Sequence, residues 1–228
     1  MTSQPINQPT ILITAGPTRE AIDPVRFLTN RSSGKMGYAI AQSAAEQGHR
    51  VILISGPTRL DVPDRVDYIP VESTAEMHDA VAHWINKADI AIFAAAVADY
   101  RPAHVPEQKI KKTADTMTLE LVKNPDILGS ARDIFGYQGI LIGFAAETED
   151  LEDNARGKLQ RKGCDLVVAN DVSRKDIGFD VNKNEILLVF PDRTEQPAKD
   201  TKQHLGHVIL EHALELAALG NTDKLAQS

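Results

Sequence analysis

The sequence holds a single cysteine, Cys164, in 228 residues, which excludes an internal disulfide framework and any multi-cysteine zinc site. Gly163 and the apolar run 166–169 flank it, so it reads as an inert, half-buried thiol rather than a nucleophile. Long hydrophobic runs are missing too. No apolar stretch reaches membrane-spanning length, and the polar segment 1–9, with two prolines, lacks the pattern of a signal peptide and is expected to be disordered. Basic charge is not in excess: a net charge of −7 argues against general nucleic-acid binding, yet leaves room for a small anionic ligand served by local lysines. No Gly-x-Ser-x-Gly elbow occurs and the seven histidines are scattered, which removes the signatures of a serine nucleophile and of a His-built metal site. Internal repeats are also lacking. A cytoplasmic enzyme with one sizeable core is the expectation.

What is present is an alternation. Apolar runs at 11–15, 51–55, 90–96, 140–144 and 166–169 are nearly continuous in character, as strands buried on both faces are. Between them, 37–47, 74–86, 127–134 and 151–162 have helical spacing, and Ser73 with Glu76 forms a capping-box pattern. The pattern predicts an α/β fold, a Rossmann-like three-layer sandwich around a mostly parallel sheet. Ligands then bind beyond the carboxyl ends of the strands. Two segments break the alternation. Residues 101–117, with two prolines and little periodicity, read as a mobile lid loop. Residues 171–200 read as a small antiparallel β extension, followed by an amphipathic helix over 204–219 with Leu205, Val208, Ile209, His212, Ala213 and Leu216 on one stripe.

The loops that follow the strands carry the chemistry. After the first strand come Gly16-Pro17-Thr18 and then the run Asp23 to Gly37, which leads into a helix. Free N–H groups and the positive end of a helix dipole at such a junction suit phosphate, and Gly16 allows close approach of backbone to ligand. The alternative is an ordinary surface loop with Ser32 or Ser33 as helix N-cap. The spacing matches neither G-x-G-x-x-G nor G-x-x-x-x-G-K-[ST]. Asn30 contributes an amide, and Arg26 and Arg31 contribute cations. At the end of the third strand, Ala94 to Ala98 would let a flat base or sugar lie on the backbone, with Asp99 as an acceptor, although an isolated Asp at such a place is more often a helix or turn cap. Lys109, Lys111 and Lys112 are either a solvated patch or the charge of a closing loop. Pro125 suits the first helical position with Asp126 near the positive dipole end, and Lys158 and Lys162 share a helix face.

Taken together, Ile13 to Glu20, Asp23 to Gly37, Ala94 to Tyr100, Lys109 to Lys112, Lys123 to Ile127, Gly143 to Thr148 and Ala169 to Asp171 resemble, in order, the bacterial phosphopantothenate–cysteine ligase family. In most bacteria that ligase is similar to the C-terminal half of a bifunctional protein whose N-terminal half is a flavin-dependent decarboxylase, fused or separate, which these 228 residues do not contain. The resemblance implies that the carboxylate of 4′-phosphopantothenate attacks the α-phosphorus of CTP, giving an acyl-cytidylate and pyrophosphate. L-cysteine then attacks through its amine, releasing CMP. It further implies catalytic roles for Lys109 in the first half-reaction and for Asn30 at the acyl-cytidylate, with Arg26 supporting the same region. CTP would contact Phe93, Ala94, Ala95, Asp99, Lys109, Pro125, Asp126, Ile127, Leu128, Phe144, Lys158 and Lys162. Phosphopantothenate would contact Gly16, Asn30, Ser32, Ser33 and Gly34. A magnesium ion carried by the triphosphate and a homodimer joined through the β extension belong to the same expectation.

Two rivals stand against it. A nicotinamide-dependent reductase would need a glycine-rich fingerprint or a Tyr-x-x-x-Lys pair, and Tyr38, Tyr68, Tyr100 and Tyr137 are followed four residues later by Gln42, Glu72, His104 and Leu141. A nucleotide sensor without catalysis would have no use for Asn30 and Lys109.

Overall fold

The computed structural model describes residues 8–112, 115–172 and 183–226, with side chains to residue 219. In chain order the elements are β1 (Thr10–Ala15), β2 (Arg19–Ala21), β3 (Phe27–Thr29), α1 (Lys35–Glu46), β4 (Arg50–Ser55), β5 (Val66–Pro70) and α2 (Thr74–Trp84). There follow β6 (Ile90–Phe93), β7 (Tyr100–Pro102), β8 (Leu121–Lys123), α3 (Ile127–Asp133), β9 (Ile140–Glu147), α4 (Leu151–Lys162) and β10 (Leu166–Asp171). The chain ends in β11 (Lys183–Asn184), β12 (Leu187–Val189), β13 (Thr194–Glu195), β14 (Asp200–Thr201) and α5 (Lys202–Ala226).

The main sheet runs β13-β12-β10-β9-β6-β1-β4-β5, parallel from β5 to β10 and antiparallel at β12 and β13. Every apolar run read as a buried strand lies in it. β1 is buried from Ile11 to Ala15 because α1 and α5 cover one face and α2, α3 and α4 the other, giving two apolar cores. α1 packs tightly on β1 at Gly37, where a Cβ would stand 2.6 Å from Ala15 Cβ. The capping box at Ser73 and Glu76 is present, with the Ser73 side chain accepting from the Glu76 N–H.

Several boundaries differ from the sequence reading. β6 ends at Phe93, since Ala94 to Ala96 bond instead to Thr14 and Gly16 and lead the chain out over the sheet end. The edge strand β5 went unread because only Val66 and Ile69 are half-buried, while Asp67, Tyr68 and Pro70 are exposed and give it no apolar run. Tyr100–Pro102 is not loop but a strand paired with β8, so the irregular segment between β7 and β8 starts only after it. The β extension is antiparallel as expected, but β12 joins the main sheet rather than standing apart, because Leu188, Val189 and Phe190 are buried in the two cores. Residues 173–182 of that segment, and the 1–7 part of the N-terminal segment, lie outside the described residues. α5 starts earlier than expected, the Thr201 hydroxyl accepting from the His204 N–H. On its stripe Leu205, Ile209 and Ala213 are buried, while His212 is half-buried against the edge of Phe190.

Candidate nucleotidyl-transfer site

The carboxyl ends of β1, β6 and β9 open on two clefts that meet at residues 95–99. The larger, about 890 Å³, is nucleotide-sized and is lined by Phe93, Ala95, Asp99, Pro125, Asp126, Ile127, Leu128, Phe144, Lys158 and Lys162, among others. The smaller, about 280 Å³, is lined by Ser32, Ser33, Gly34, Ala94, Asn170, Asn184 and Lys202. Ala95, Val97, Asp99, Phe144 and Lys158 face both, so a molecule in one cleft would meet a molecule in the other there. A third cavity, about 960 Å³, lies between α1, the 60–65 loop and the start of α5. Its lining mixes Glu46, Asp61 and Asp64 with Lys35, Arg65 and Lys202, and it lies away from the strand ends where the predicted site residues gather.

Around the nucleotide-sized cleft, each predicted residue has a defined local cause. Asp126 is the N-cap of α3, its carboxylate accepting from the Gly129 N–H at 2.9 Å. Pro125 therefore precedes the cap, and Ile127, not Pro125, holds the first helical position. Lys162 forms a short ion pair with Asp126. Burial raises the Asp126 pKa, but Lys162 and the Gly129 N–H outweigh it and leave the group below its usual range. Lys158 donates to the Phe144 carbonyl at 2.6 Å, and burial pulls its pKa down. Asp99 is exposed at the rim, and its carboxylate makes no hydrogen bond or ion pair among the described residues. The Lys158 and Lys162 pair does share one face, as i,i+4 spacing requires, although each ammonium already has a partner.

The glycine- and serine-bearing run is built differently from its sequence reading. Gly34 caps α1 with φ +78 and no side-chain cap bond, so neither serine is the N-cap. Gly16, at φ +72, lies close to the protein itself: a Cβ there would stand 2.7 Å from the Gly56 carbonyl oxygen. The close approach that this glycine allows is to Gly56, and Gly16 lines neither cleft. Asn30 sits in an adjoining hollow with Ser32, Ser33 and Arg59. Its amide nitrogen donates to the carbonyls of Ala96 and Val97, both at 2.9 Å. Both donors are thus committed to the 94–99 segment, and only the side-chain oxygen is left to face a ligand. Arg26 and Lys109 line none of these clefts; the Arg26 guanidinium is engaged with Asp23 and with the carbonyl of Ile110.

A buried polar network went unread in the sequence and carries this geometry. Glu20, nearly inaccessible, accepts from the N–H and hydroxyl of Thr74 at 2.9 and 2.7 Å. The hydroxyls of Thr18 and Thr74 lie 2.9 Å apart, and Thr18 accepts from the Ala98 N–H. Asn124 donates through its side chain to the Ala98 carbonyl at 2.8 Å. The first loop, the start of α2, the 96–99 segment and the β7–β8 ribbon are thereby locked together. Charge and amide spacing give no hint of it, since its partners lie far apart in sequence. Asn184 was also missed; it is 5% exposed, its side-chain oxygen has no hydrogen-bond partner among the described residues, and β11 brings it to the smaller cleft.

The sequence matches the DNA/pantothenate metabolism flavoprotein C-terminal domain over residues 6–216. It is 50% identical over 208 residues to a protein of Vibrio parahaemolyticus named Coenzyme A biosynthesis bifunctional protein CoaBC, covering 90% of this chain and 52% of that one. The chain thus spans about half the length of the curated relatives it matches. A crystal structure of the C-terminal domain of a CoaBC protein superposes with a TM-score of 0.77 at 41% identity, covering 91% of this chain and 95% of that one. A structure of Cab2 in complex with phosphopantothenate-cysteine reaches a TM-score of 0.75 at 17% identity, covering 95% of this chain and 89% of that one, a likeness of fold.

Proposed function

Because the chain belongs to the family of the DNA/pantothenate metabolism flavoprotein C-terminal domain, we propose that it joins 4′-phosphopantothenate to L-cysteine in coenzyme A biosynthesis, using CTP and passing through an acyl-cytidylate. The observation that carries the reading is the meeting of the nucleotide-sized cleft with the smaller amide- and hydroxyl-lined one at Ala95, Val97 and Asp99. An acyl-nucleotidyl transfer needs two substrates held end to end with their reacting atoms at one point, and this arrangement supplies such a junction.

In this reading CTP occupies the larger cleft. Its base or ribose lies on the small side chains Ala94 and Ala95, and its phosphates run toward Lys158, Lys162 and the start of α3. Lys162 would exchange Asp126 for a phosphate oxygen. Phosphopantothenate lies in the smaller cleft with its carboxylate at the junction, where it attacks the α-phosphorus as pyrophosphate leaves. Lys109 supplies positive charge to the departing oxygens. Asn30, through its oxygen, accepts a hydrogen bond from the incoming cysteine amine as that amine attacks the mixed anhydride and CMP leaves. The described residues contain no group of three or more His, Cys, Asp or Glu placed to hold a metal, so a magnesium ion would be carried by the triphosphate itself.

A homodimer and a flavin-dependent decarboxylase as the other half of the pathway step belong to the same proposal. The described end of the extension, β11, pairs with β14 of its own chain. No described helix is long and apolar enough to cross a membrane. The deciding measurement is pyrophosphate release from CTP with and without 4′-phosphopantothenate: release only in its presence is expected, and release that ignores it sinks the proposal. In Asn30→Ala, phosphopantothenoyl-cytidylate is expected to accumulate and to be seen by mass spectrometry.

A further inference from the structure

The hollow beside Asn30 has a charge balance that neither cleft shares. About 430 Å³ in volume, it lies between the β2–β3 hairpin, the 57–60 loop and the approach to α1. Arg19, Lys35 and Arg59 line it, and among the described residues no Asp or Glu does, whereas both clefts carry Asp99. In a chain of net charge −7, three cations around one concavity call for an anionic group. Arg19 is steadied there by an aromatic ring rather than by a carboxylate. Its guanidinium lies over the Phe27 ring, 4.5 Å from the centroid, while Glu72 stands 3.9 Å away, beyond hydrogen-bond reach. Stacking fixes the plane of the fork and leaves its N–H edge to a planar, bidentate acceptor. Arg59 is exposed and makes no hydrogen bond or ion pair among the described residues. Asn30 adds a group of the opposite kind to the same wall. Its NH2 is committed to Ala96 and Val97, so the atom left over is an acceptor, which repels a phosphate and suits an N–H donor. Cations for a carboxylate beside an acceptor for an amine are the recognition set of an α-amino acid. Ser32, Ser33 and Lys35 line both this hollow and the smaller cleft, so a molecule in one lies next to a molecule in the other.

We propose that this hollow receives L-cysteine, with Arg19 holding its carboxylate, Arg59 adding charge at the rim and Asn30 turning its amine toward the junction at 95–99. The proposal rests on the functional reading above and gives the second substrate of that reading a place. Surrounding cations disfavour an ammonium, so the amine is presented in its neutral, nucleophilic form. Its nitrogen bonds to the acyl carbon and the bond from that carbon to the phosphate oxygen breaks. CMP leaves with the electron pair, and one amine proton passes to water. Arg19 and Arg59 act only after pyrophosphate has left.

Arg19→Met keeps an apolar contact for Phe27 and removes the fork. Its KM for L-cysteine is expected to rise at least about tenfold, the loss of a charged hydrogen bond, with KM for phosphopantothenate within about twofold of wild type. The pyrophosphate released in a single turnover without cysteine is expected to appear at a rate within about twofold of wild type. Arg19→Lys, which keeps the charge without the fork, should fall between wild type and Arg19→Met. A KM for L-cysteine within about twofold of wild type in Arg19→Met overturns the proposal. A higher KM for phosphopantothenate with that for cysteine unchanged assigns the hollow to the 4′-phosphate and also overturns it, as does an equal rise in both. If Arg19→Met does not fold, Arg59→Gln, on an exposed loop, is held to the same readouts. A wild-type chain that releases no pyrophosphate overturns the functional reading itself. A wild type that ligates L-cysteine, beside a variant that keeps the same KM for it, overturns the role of the hollow alone.

Discussion

Lys158 on α4 donates a hydrogen bond of 2.6 Å to the carbonyl of Phe144 on β9, and both residues line both clefts. A cation is thereby held, partly out of water, at the wall both substrates would share. Burial lowers its pKa, so keeping it charged opposes folding and favours binding an anion. Lys158→Met is expected to weaken CTP binding by roughly 10- to 100-fold, the loss of a charged hydrogen bond, without lowering the melting temperature. Calorimetric titration with CTP and a thermal melt check both halves of that statement.

Asp126 serves two masters, the cap of α3 and the ion pair with Lys162. Asn keeps the cap and removes a negative charge from the cleft, so Asp126→Asn is expected to hold its stability and bind CTP more tightly. Asp126→Ala loses the cap and should cost about 1 kcal/mol in urea unfolding. Weaker CTP binding by the Asn variant would show that Asp126 faces the nucleotide directly.

Gly37 allows α1 to lie against β1, with Ala15 Cβ 2.6 Å from where a Cβ would stand. Ala15 Cβ and the Thr14 carbonyl oxygen, 3.3 Å away, belong to a buried strand and cannot swing away. Gly37→Ala is expected to destabilise the protein by about 1–3 kcal/mol, seen as a lower urea midpoint.

Cys164 is buried, and burial pushes its thiol up to about 12. At pH 8 the native thiol is almost wholly protonated. Alkylation by iodoacetamide should therefore run at least about 100-fold slower in the native protein than in urea.

Asp23 has a folded-state pKa far below its unfolded value, chiefly through Arg26. A depressed carboxyl adds stability that is complete above its unfolded value of about 4 and is lost as pH falls below it. The difference in urea midpoint between wild type and Asp23→Asn should therefore be constant from neutral pH down to about pH 5 and shrink below about pH 4. A difference that grows on acidification would contradict the assignment.

The fold was legible where burial is two-sided. Runs such as Ile11 to Ala15 and Leu166 to Ala169 can be satisfied only between two covering layers, so their composition announces a parallel sheet with helices on both faces. β5 and β7 were not legible, because half-exposed edge and ribbon strands carry mixed side chains and are settled by the partner they pair with. In the site, the cleft-lining residues from Phe93 to Lys162 were named by motif, whereas the Glu20–Thr74–Thr18 network was silent. A buried carboxylate bonded to a threonine more than fifty residues away has no local signature.

The sequence by itself determined the alternation of buried runs and helices, the capping box at Ser73 and the seclusion of the single thiol of Cys164, all of which follow from local spacing and polarity. Tertiary structure alone decided which polar groups would face a ligand and which would hold one another. Asn30 was turned onto Ala96 and Val97, Arg26 onto Asp23 and Ile110, and Lys162 onto Asp126. The reason is physical: a donor's chemistry is written in its residue type, but its partner is chosen by whichever acceptor the folded chain brings within about 3 Å.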